Sequence, residues 1–331
     1  MTIICTGSIA YDYLMTFPGY FKDHFIEGHL DKISLSFLVD SMIRQKGGIA
    51  PNIAYTLALL GERPMVMGTV GEDFEDYRTW LESKNIDTTF VKVIPGEYTA
   101  SFFANTDLSN SQIASFYTGA MAHASRLSLK DTICKNPDLV VISPNDPKAM
   151  DLLAIECQEL KIPYLFDPSQ QVVRNKPEEL RRGVEGARFL FVNEYEYELL
   201  RKHTQLSESD ILNRVEFLVV TLGEQGACVY ADGHKYCIPT VKPGKILDPT
   251  GVGDAFRGGF LKGYRMKFDW QTCGQMGAMA ATYCLEHRGT QNHSFTVAEF
   301  VARYQKHFDD QGILNTLLNA NNENNLPGGI G

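Results

Sequence analysis

The chain has 331 residues, of which 44% are hydrophobic and 21% are charged, and these values are typical of a globular protein of one or two domains. Its net charge of −9 argues against nucleic acid as the main partner, because phosphate backbones are bound by basic surfaces. No segment approaches the length of a membrane span. The seven cysteines are scattered without a CxxC pair, which predicts reduced thiols and a cytoplasmic location.

The first predicted strand leads to an acidic residue. Residues 3–7 form an apolar run typical of a buried strand, and residues 8–12 are expected to form the loop beyond it. Ligands of open α/β sheets bind outside the carboxyl ends of the strands, so Asp12 is placed to accept hydrogen bonds from a polar ligand. A solvated loop acid is the alternative. Residues 13–45 are aromatic and polar, which indicates an accessory β element that covers a site.

A glycine pair precedes the first predicted helix. Gly47 and Gly48 let the backbone approach a ligand closely. Pro51 suits the first turn of a helix, and Gly61 suits its end. Asn52 then lies at the helix start and faces back toward the glycines. It either caps its own helix or contacts a ligand.

From residue 64 onward, apolar runs alternate with amphipathic segments. Continuous apolar strands separated by helices are typical of a parallel sheet covered on both faces, so we predict a doubly wound α/β fold. Phe116 lies in the stretch 112–122, where an aromatic side chain packs in a core or lid, or stacks on a planar ring. Strands are predicted over residues 64–70, 88–93, 99–104, 139–143, 164–167, 189–193, 217–222 and 227–230, and helices over 74–85, 148–160, 177–183, 195–203, 254–266, 269–284 and 296–307.

Two turns at the carboxyl edge of the predicted sheet carry polar residues. Asn193 and Glu196 stand at a strand-to-helix junction. There, Glu196 either holds a metal-bound water near phosphates or stabilises the helix through its dipole. Residues 221–226 form a turn between two strands that either binds a nucleotide or is simply a tight connection. The chain has neither a P-loop nor the dinucleotide-binding GxGxxG fingerprint.

The most informative stretch is Asp248-Pro-Thr-Gly-Val-Gly-Asp254, which enters a predicted helix. The backbone of Gly251, Val252 and Gly253 leaves N–H groups without intrahelical partners at the positive end of the helix dipole, where they can cradle a phosphate. A carboxylate at Asp254 would repel that phosphate, so it makes more sense as a base that accepts a hydroxyl proton. The alternative is an acidic residue that only stabilises its helix.

These motifs together resemble those of the ribokinase-like (PfkB) family of carbohydrate and nucleoside kinases. The Gly47-Gly48 pair with Asn52 is similar to the first family signature, and residues 248–254 are similar to its DTxGAGD pattern. Residues 193–196 match the family's NxxE motif, and the turn at 221–226 matches its nucleotide-side turn. Two further segments, residues 115–121 and 288–293, are similar to segments of adenosine and nucleoside kinases, although Thr118 stands where FxPGAM has proline.

The resemblance implies an enzyme that transfers the γ-phosphoryl group of ATP to the 5′-hydroxyl of a ribonucleoside, with adenosine preferred. Asp254 would be the base, and the backbone from Gly251 to Gly253 would be the anion hole. Mg²⁺ would assist the transfer, and a monovalent cation such as K⁺ binds near the second signature in some members. The implied contacts are Asp12, Gly48, Asn52 and Phe116 for the nucleoside, Asn193, Thr221, Gly223, Gly226 and Asn292 for ATP, and Glu196 and Asp248 for the metal ions.

The resemblance also implies the organisation of the chain. One kinase domain would cover residues 1–310 with lid insertions at about 13–45 and 95–120, and residues 311–331 would form a tail that is disordered at its end. The protein would be a monomer or a homodimer through the lid, with no nucleic-acid or membrane partner. Arg257 either neutralises phosphate charge or forms a structural ion pair.

Two other functions are alternatives to a nucleoside kinase. A sugar kinase like ribokinase or fructokinase would need a pocket of hydrogen-bonding groups, whereas a nucleoside needs an apolar or aromatic slot for its base. The aromatic residues of the two lid stretches favour the nucleoside. A non-catalytic metabolite-binding protein is disfavoured, because a sensor would not need Asp254 beside Gly251 and Gly253.

Overall fold

A computed structural model describes residues 2–25 and 34–324. The strands, in chain order, are β1 (Ile3–Thr6), β2 (Ala10–Thr16), β3 (Ser41–Gly47), β4 (Met65–Val70), β5 (Asp87–Val93), β6 (Ala100–Thr106), β7 (Gln112–Tyr117), β8 (Leu139–Ile142), β9 (Tyr164–Phe166), β10 (Phe189–Asn193), β11 (Phe217–Thr221), β12 (Ala227–Ala231) and β13 (His234–Ile238). The helices are α1 (Ile49–Leu59), α2 (Glu75–Ser83), α3 (Pro147–Leu160), α4 (Pro177–Val184), α5 (Glu194–Thr204), α6 (Glu208–Leu212), α7 (Val252–Arg265), α8 (Trp270–Leu285), α9 (Val297–Gln305) and α10 (Asn315–Asn324).

The larger sheet has nine strands in the order β13-β12-β11-β10-β9-β8-β1-β4-β5. Its pairs are parallel from β5 to β11, and only β12 and β13 are antiparallel to their neighbours. Since β1 lies between β8 and β4, the strand order reverses there, and ligands of open α/β sheets bind at such a point. The predicted doubly wound, mostly parallel fold is confirmed.

Helices cover both faces of this sheet, as the burial of β1 illustrates. Successive side chains of a strand point to opposite faces. Ile3 and Cys5 belong to a buried cluster that includes Phe260 of α7, whereas Ile4 belongs to a second cluster that includes Met150 of α3. Apolar side chains on both faces explain why the strands read as continuous hydrophobic runs.

The smaller sheet forms a lid with the strand order β3-β2-β6-β7. Strand β2 pairs in parallel with β6, and the two outer pairs are antiparallel. Tyr13 stacks on Phe103 across this sheet, with ring centroids 4.8 Å apart. Part of the predicted first lid excursion, residues 26–33, lies outside the described residues.

Helices α1 and α7 pack closely, and this contact places two site residues side by side. A Cβ added to Gly258 would come within 2.6 Å of Thr56 Cβ, so only glycine allows the helices to approach this far. Further along, Lys262 Nζ donates to Glu62 Oε1 at 2.6 Å in a buried ion pair. Glu62 lies just beyond the end of α1 and also pairs with Arg265 of α7, so these ion pairs join the end of α1 to α7. Breaking a buried ion pair by removing one partner costs about 3–5 kcal/mol.

Two predictions at the level of elements need correction, and two elements lack a prediction. Of the loop predicted at residues 8–12, only Ser8 and Ile9 lie outside a strand, because β2 begins at Ala10 and pairs with β3 and β6. Strand β13 and helix α6 were not predicted. Helix α10 reaches residue 324, where the sequence indicates a disordered tail, and residues 325–331 lie outside the described residues.

Two predictions about the chain's environment can be compared with the structure. Among the helices of residues 2–25 and 34–324, none is long and apolar enough to cross a membrane. The cysteines with described side chains are free thiols, and five of these six are buried.

Candidate active site

The glycine turn before α7 has the geometry of an anion cradle. Gly251 precedes the helix with φ +77°, in the left-handed region that favours glycine. A Cβ added there would come within 2.8 Å of Thr290 Cγ2. The N–H groups of Val252 and Gly253 open the helix, where such groups lack intrahelical acceptors and lie at the positive end of the dipole. The Val252 N–H makes only a long hydrogen bond of 3.4 Å, to the carbonyl of Pro249 in the turn.

Asp254 lies in the first turn of α7 and is held by a residue of α1. Asn52 donates through Nδ2 to Asp254 Oδ2 at 2.8 Å. Burial raises the pKa of Asp254 to about 6, although the charge of Arg257 and the Asn52 hydrogen bond both act to lower it. A carboxylate with a pKa close to neutral is suited to accept a proton from a substrate hydroxyl. The predicted capping role of Asn52 is wrong, because Gly48 precedes the helix as its cap.

Arg257 is buried one turn further along α7 and pairs with Asp167, which follows β9. Arg257 Nη2 donates to Asp167 Oδ1 at 2.7 Å, so the guanidinium forms the structural ion pair that was one of its two predicted roles. Burial raises the pKa of Asp167 to about 7, against the opposing effect of Arg257. Sequence reasoning missed Asp167 as a site residue, although its place directly after an apolar strand is the same signal that singled out Asn193.

Asp12 lies on the lid, close to the glycine pair. A Cβ added to Gly47 would come within 2.6 Å of Asp12 Oδ2, and one added to Gly48 would come within 2.5 Å of the carbonyl of Ser8. Burial is the main cause that raises the pKa of Asp12 to about 6, and the negative charge of Asp248 adds to it. The carboxylate therefore belongs to the same site as the second glycine turn.

Phe116 shares a face of the lid with Asp12. The register pairs Asp12 with Phe102 and Phe102 with Phe116, and it pairs Asp12 with Gln45 on the other side. Residues directly opposite each other on neighbouring strands point to the same face. The Phe116 side chain is 46% exposed, so an aromatic surface is available beside the carboxylate.

Asn193 and Glu196 cap the first turn of α5. Asn193 Oδ1 accepts from the Glu196 N–H, and Glu196 Oε2 accepts from the Asn193 N–H, each at 2.8 Å. Ser169 Oγ donates to the second carboxylate oxygen of Glu196 at 3.1 Å. The helix-start role is thus observed, and the predicted contacts of both residues with ATP and metal remain predictions.

The fit of Mg²⁺ can be judged from these carboxylates. Within the described residues, no group of three or more His, Cys, Asp or Glu side chains could enclose a metal ion. Mg²⁺ keeps several waters and needs only one or two carboxylates beside substrate phosphates. Asp167 Oδ2 is buried without a hydrogen-bond partner among the described residues, and Glu196 is near enough to raise the pKa of Asp167. These two carboxylates could hold Mg²⁺ through water.

Asp248 accepts hydrogen bonds from two segments of the chain, the turn before α7 and the loop after α8. Its Oδ1 accepts from the Thr250 N–H and its Oδ2 from the Gly289 N–H, both at 2.9 Å. Its predicted role at a monovalent cation stays a prediction. Asn292 is exposed, and its amide nitrogen donates to the carbonyl of Arg288 at 2.8 Å, so in this structure it closes its own loop.

The turn from Thr221 to Gly226 lies beside the α5 junction. The register pairs Thr221 of β11 with Asn193 of β10, so both residues end neighbouring parallel strands. Gly223 and Gly226 have φ +58° and +94°, and the Leu222 N–H donates to the carbonyl of Gly226 at 2.7 Å. Asn193 and the turn that contains Thr221, Gly223 and Gly226 thus lie at one edge of the sheet, whereas no observed contact joins Asn292 to them.

Two buried residues near Asn52 were missed by sequence reasoning. Gln291 Nε2 donates to Asn52 Oδ1 and to the hydroxyl of Tyr77, both at 2.6 Å. Gln291 lies within the segment similar to nucleoside kinases, but nothing in the local pattern distinguishes it from its neighbours. Tyr77 follows a helical pattern and would be assigned to the core.

Comparisons with known proteins fit this geometry. A model of the pfkB family of carbohydrate kinases matches residues 10–296. The chain belongs to this family. It is 31% identical over 307 residues to a nucleoside kinase of Methanocaldococcus jannaschii, covering 92% of this chain and 97% of that protein. The structure of Burkholderia thailandensis nucleoside kinase in complex with inosine has a TM-score of 0.80 and 38% identity, covering 93% of this chain and 98% of that one.

Family membership establishes the general reaction. Kinases of the family use ATP, and the B. thailandensis enzyme is also known in complex with ADP-inosine. The chain is therefore an ATP-dependent nucleoside or sugar kinase, and the predicted ribokinase-like family is confirmed. The ribokinase of Thermotoga maritima, at 22% identity and a TM-score of 0.77, shares the fold.

Proposed function

We propose that the protein transfers the γ-phosphoryl group of ATP to the 5′-hydroxyl of a ribonucleoside, with adenosine as the preferred substrate. The observation that carries the proposal is the position of Asp254, whose carboxylate is held by Asn52 beside the glycine turn. A proton acceptor next to an anion cradle matches the needs of phosphoryl transfer, which depends on positioning and charge stabilisation.

In this reaction the 5′-oxygen of the nucleoside bonds to the γ-phosphorus of ATP, and Asp254 accepts the proton of that hydroxyl. The bond between the γ-phosphorus and the β,γ-bridging oxygen breaks, and ADP leaves. The N–H groups from Gly251 to Gly253 stabilise the negative charge on the transferred group. Mg²⁺, when bound, neutralises phosphate charge, and Glu196 and Asp167 would hold it through water. The turn around Thr221, together with Asn193 and Asn292, would bind ATP.

The lid supplies the evidence for a nucleoside rather than a free sugar. Asp12 can accept both hydrogen bonds of a vicinal diol, and Phe102 and Phe116 continue the same cross-strand row as an aromatic surface for a base. The similar proteins of M. jannaschii and B. thailandensis are named nucleoside kinases, and the latter binds inosine. Lid closure would exclude water. We also propose a cytoplasmic enzyme that is a monomer or a homodimer through the lid.

A substrate panel tests this proposal. ADP release from ATP and Mg²⁺ would be measured with adenosine, inosine, guanosine, cytidine, 2′-deoxyadenosine, ribose and fructose. We expect turnover on ribonucleosides and a loss of about tenfold or more on 2′-deoxyadenosine, because the missing 2′-hydroxyl removes one of the two hydrogen bonds that the buried Asp12 carboxylate would accept from the diol. Turnover on ribose or fructose alone would instead support the sugar kinase.

A further inference from the structure

A chain of hydrogen bonds runs from Asp254 to the base of the lid. Asn52 donates to Asp254 Oδ2 at 2.8 Å, and Gln291 Nε2 donates to Asn52 Oδ1 at 2.6 Å. The same nitrogen of Gln291 donates to the Tyr77 hydroxyl at 2.6 Å, and that hydroxyl donates to the carbonyl of Gly47 at 2.9 Å. We call Asn52, Gln291 and Tyr77 the amide relay.

The two ends of the amide relay fix the direction of each hydrogen bond within it. The carbonyl of Gly47 can only accept, so it takes the single proton of the Tyr77 hydroxyl. The Tyr77 oxygen is then free to accept, and the amide nitrogen of Gln291 turns toward it. The second proton on that nitrogen reaches Asn52 Oδ1. Asn52 consequently presents its own amide nitrogen to Asp254.

We propose that Gln291 is a positioning residue for the reaction, which holds the Asn52 amide nitrogen toward Asp254 and so keeps that carboxylate ionised and in place. The inference rests on the proposed function, in which Asp254 accepts the hydroxyl proton. If Asn52 turned over, its carbonyl oxygen would face the carboxylate, and two acceptors have no proton to share. Asn52 and Gln291 are only 4% and 3% exposed, so bulk water does not replace a lost bond.

Other ionisable groups near Asp254 also influence the pKa of its carboxylate. Arg257 on α7 stabilises the carboxylate, whereas Glu196 on α5 destabilises it. Asp167 after β9 and the Cys284 thiol on α8 are near enough for Asp254 to raise the pKa of each. The hydrogen bonds of Gln291 among the described residues go to Asn52 and Tyr77, so its influence on Asp254 passes through Asn52.

Two substitutions of Gln291 test the proposal through the pH profile of kcat. Gln291→Met keeps the length of the side chain but removes its donor, and Gln291→Glu offers acceptors to Asn52 Oδ1. We expect kcat to fall by about tenfold to a hundredfold, because Asn52 would no longer hold its hydrogen bond to the charged Asp254, with KM for ATP changed less than about twofold. The acidic limb of the profile should move up by about one pH unit, because the ionised form of Asp254 loses a donor. An unmoved limb with unchanged kcat would overturn the proposal.

A double-mutant cycle tests whether Gln291 acts through Asn52. The variant Asn52→Ala with Gln291→Met should lose no more activity than Asn52→Ala alone, and additive losses would overturn the proposal. Tyr55→Phe is the matched control, because it removes a hydroxyl that donates to the carbonyl of His293 at 2.7 Å in the same loop. The control should lower the unfolding temperature without moving the acidic limb. An equal limb shift in the control would mean that Gln291 only stabilises the loop.

Two measurements separate failure of this inference from failure of the proposed function. If Asp254→Asn keeps the parent's kcat, the proposed base is wrong. If Asp254→Asn is inactive while both Gln291 variants behave as the parent, only the inference about Gln291 fails. Should neither Gln291 variant fold, as judged by circular dichroism, Tyr77→Phe replaces them. It should shift the acidic limb in the same direction by a smaller amount, and an unmoved limb there would equally overturn the proposal.

Discussion

Burial and stabilising contacts act in opposite directions on the pKa of one carboxylate in the site, that of Asp254. Burial raises the pKa of Asp254, and Glu196 adds to that effect, whereas Arg257 and the Asn52 hydrogen bond lower it. The result, a pKa of about 6, leaves the group ionised at neutral pH yet more basic than an exposed aspartate. This compromise favours proton acceptance.

The pH dependence of turnover follows from this pKa. Asp254 must be ionised to accept a proton, so we expect kcat to fall about tenfold per pH unit below an apparent pKa near 6 and to level off above it. The profile of kcat at saturating nucleoside and ATP measures this directly. A profile that stays level down to pH 4.5 would contradict the assignment of Asp254 as the base.

At the residue scale, the sequence identifies candidate functional residues, but it does not identify the residues that they contact in the fold. Asp254 and Gly251 could be identified because a glycine turn before a helix creates a local electrostatic site. The partner of Asn52 could not, because it lies 202 residues away along the chain. Gln291 carries no local signal, since its role arises from two buried hydrogen bonds that only the folded chain creates.

Among the elements, the turn into α7 has the most direct link to function. Gly251 combines a positive φ with close contact to Thr290, so a side chain there would meet both backbone strain and a steric clash. Gly186 has nearly the same φ, +74° against +77°, but a Cβ added to it meets nothing within 4 Å. A comparison of alanine substitutions at Gly251 and Gly186 therefore separates the effect of backbone strain from the effect of displacing the turn before α7.

We expect Gly251→Ala to lower kcat by about a hundredfold, because the N–H groups of the cradle would move off the position of the transferred phosphate. Gly186→Ala should cost about 1 kcal/mol of stability from strain alone, with kcat unchanged. Steady-state kinetics and thermal unfolding of both variants provide the comparison. Equal effects of the two substitutions on kcat would show that the turn contributes nothing specific to the reaction.

The sequence predicts some strands and misses others, and the difference has a physical cause. The alternation of apolar runs and helices predicts the larger sheet because burial on both faces leaves a strong periodic signal. The sequence does not predict the start of strand β2, because its pairing with β6 joins residues about 90 positions apart. Strand β13 is short and largely exposed at the sheet edge, so it lacks an apolar pattern.

At the scale of the whole molecule, the candidate active site lies where two close contacts between distant parts of the chain meet. The packing of α1 against α7 brings Asn52 to Asp254, and the loop around Thr290 contacts both Gly251 and the lid strand β3 through the carbonyl of Lys46. The lid therefore joins the domain at the same point as the proposed base. Closure of the lid over a nucleoside would bring Asp12 and Phe116 toward the cradle.

Product formation by the parent enzyme and by Asp254→Asn tests the central claim most directly. With adenosine or inosine, ATP and Mg²⁺, the parent should yield the nucleoside 5′-monophosphate, and the variant should yield it at least about a hundredfold more slowly. Because burial raises the pKa of this carboxylate, its contribution to stability is lost as pH rises through about 6. The neutral variant should thus unfold no earlier than the parent at pH 7, which separates lost chemistry from lost structure. Equal rates of product formation, or a parent that phosphorylates ribose but no nucleoside, would contradict the account.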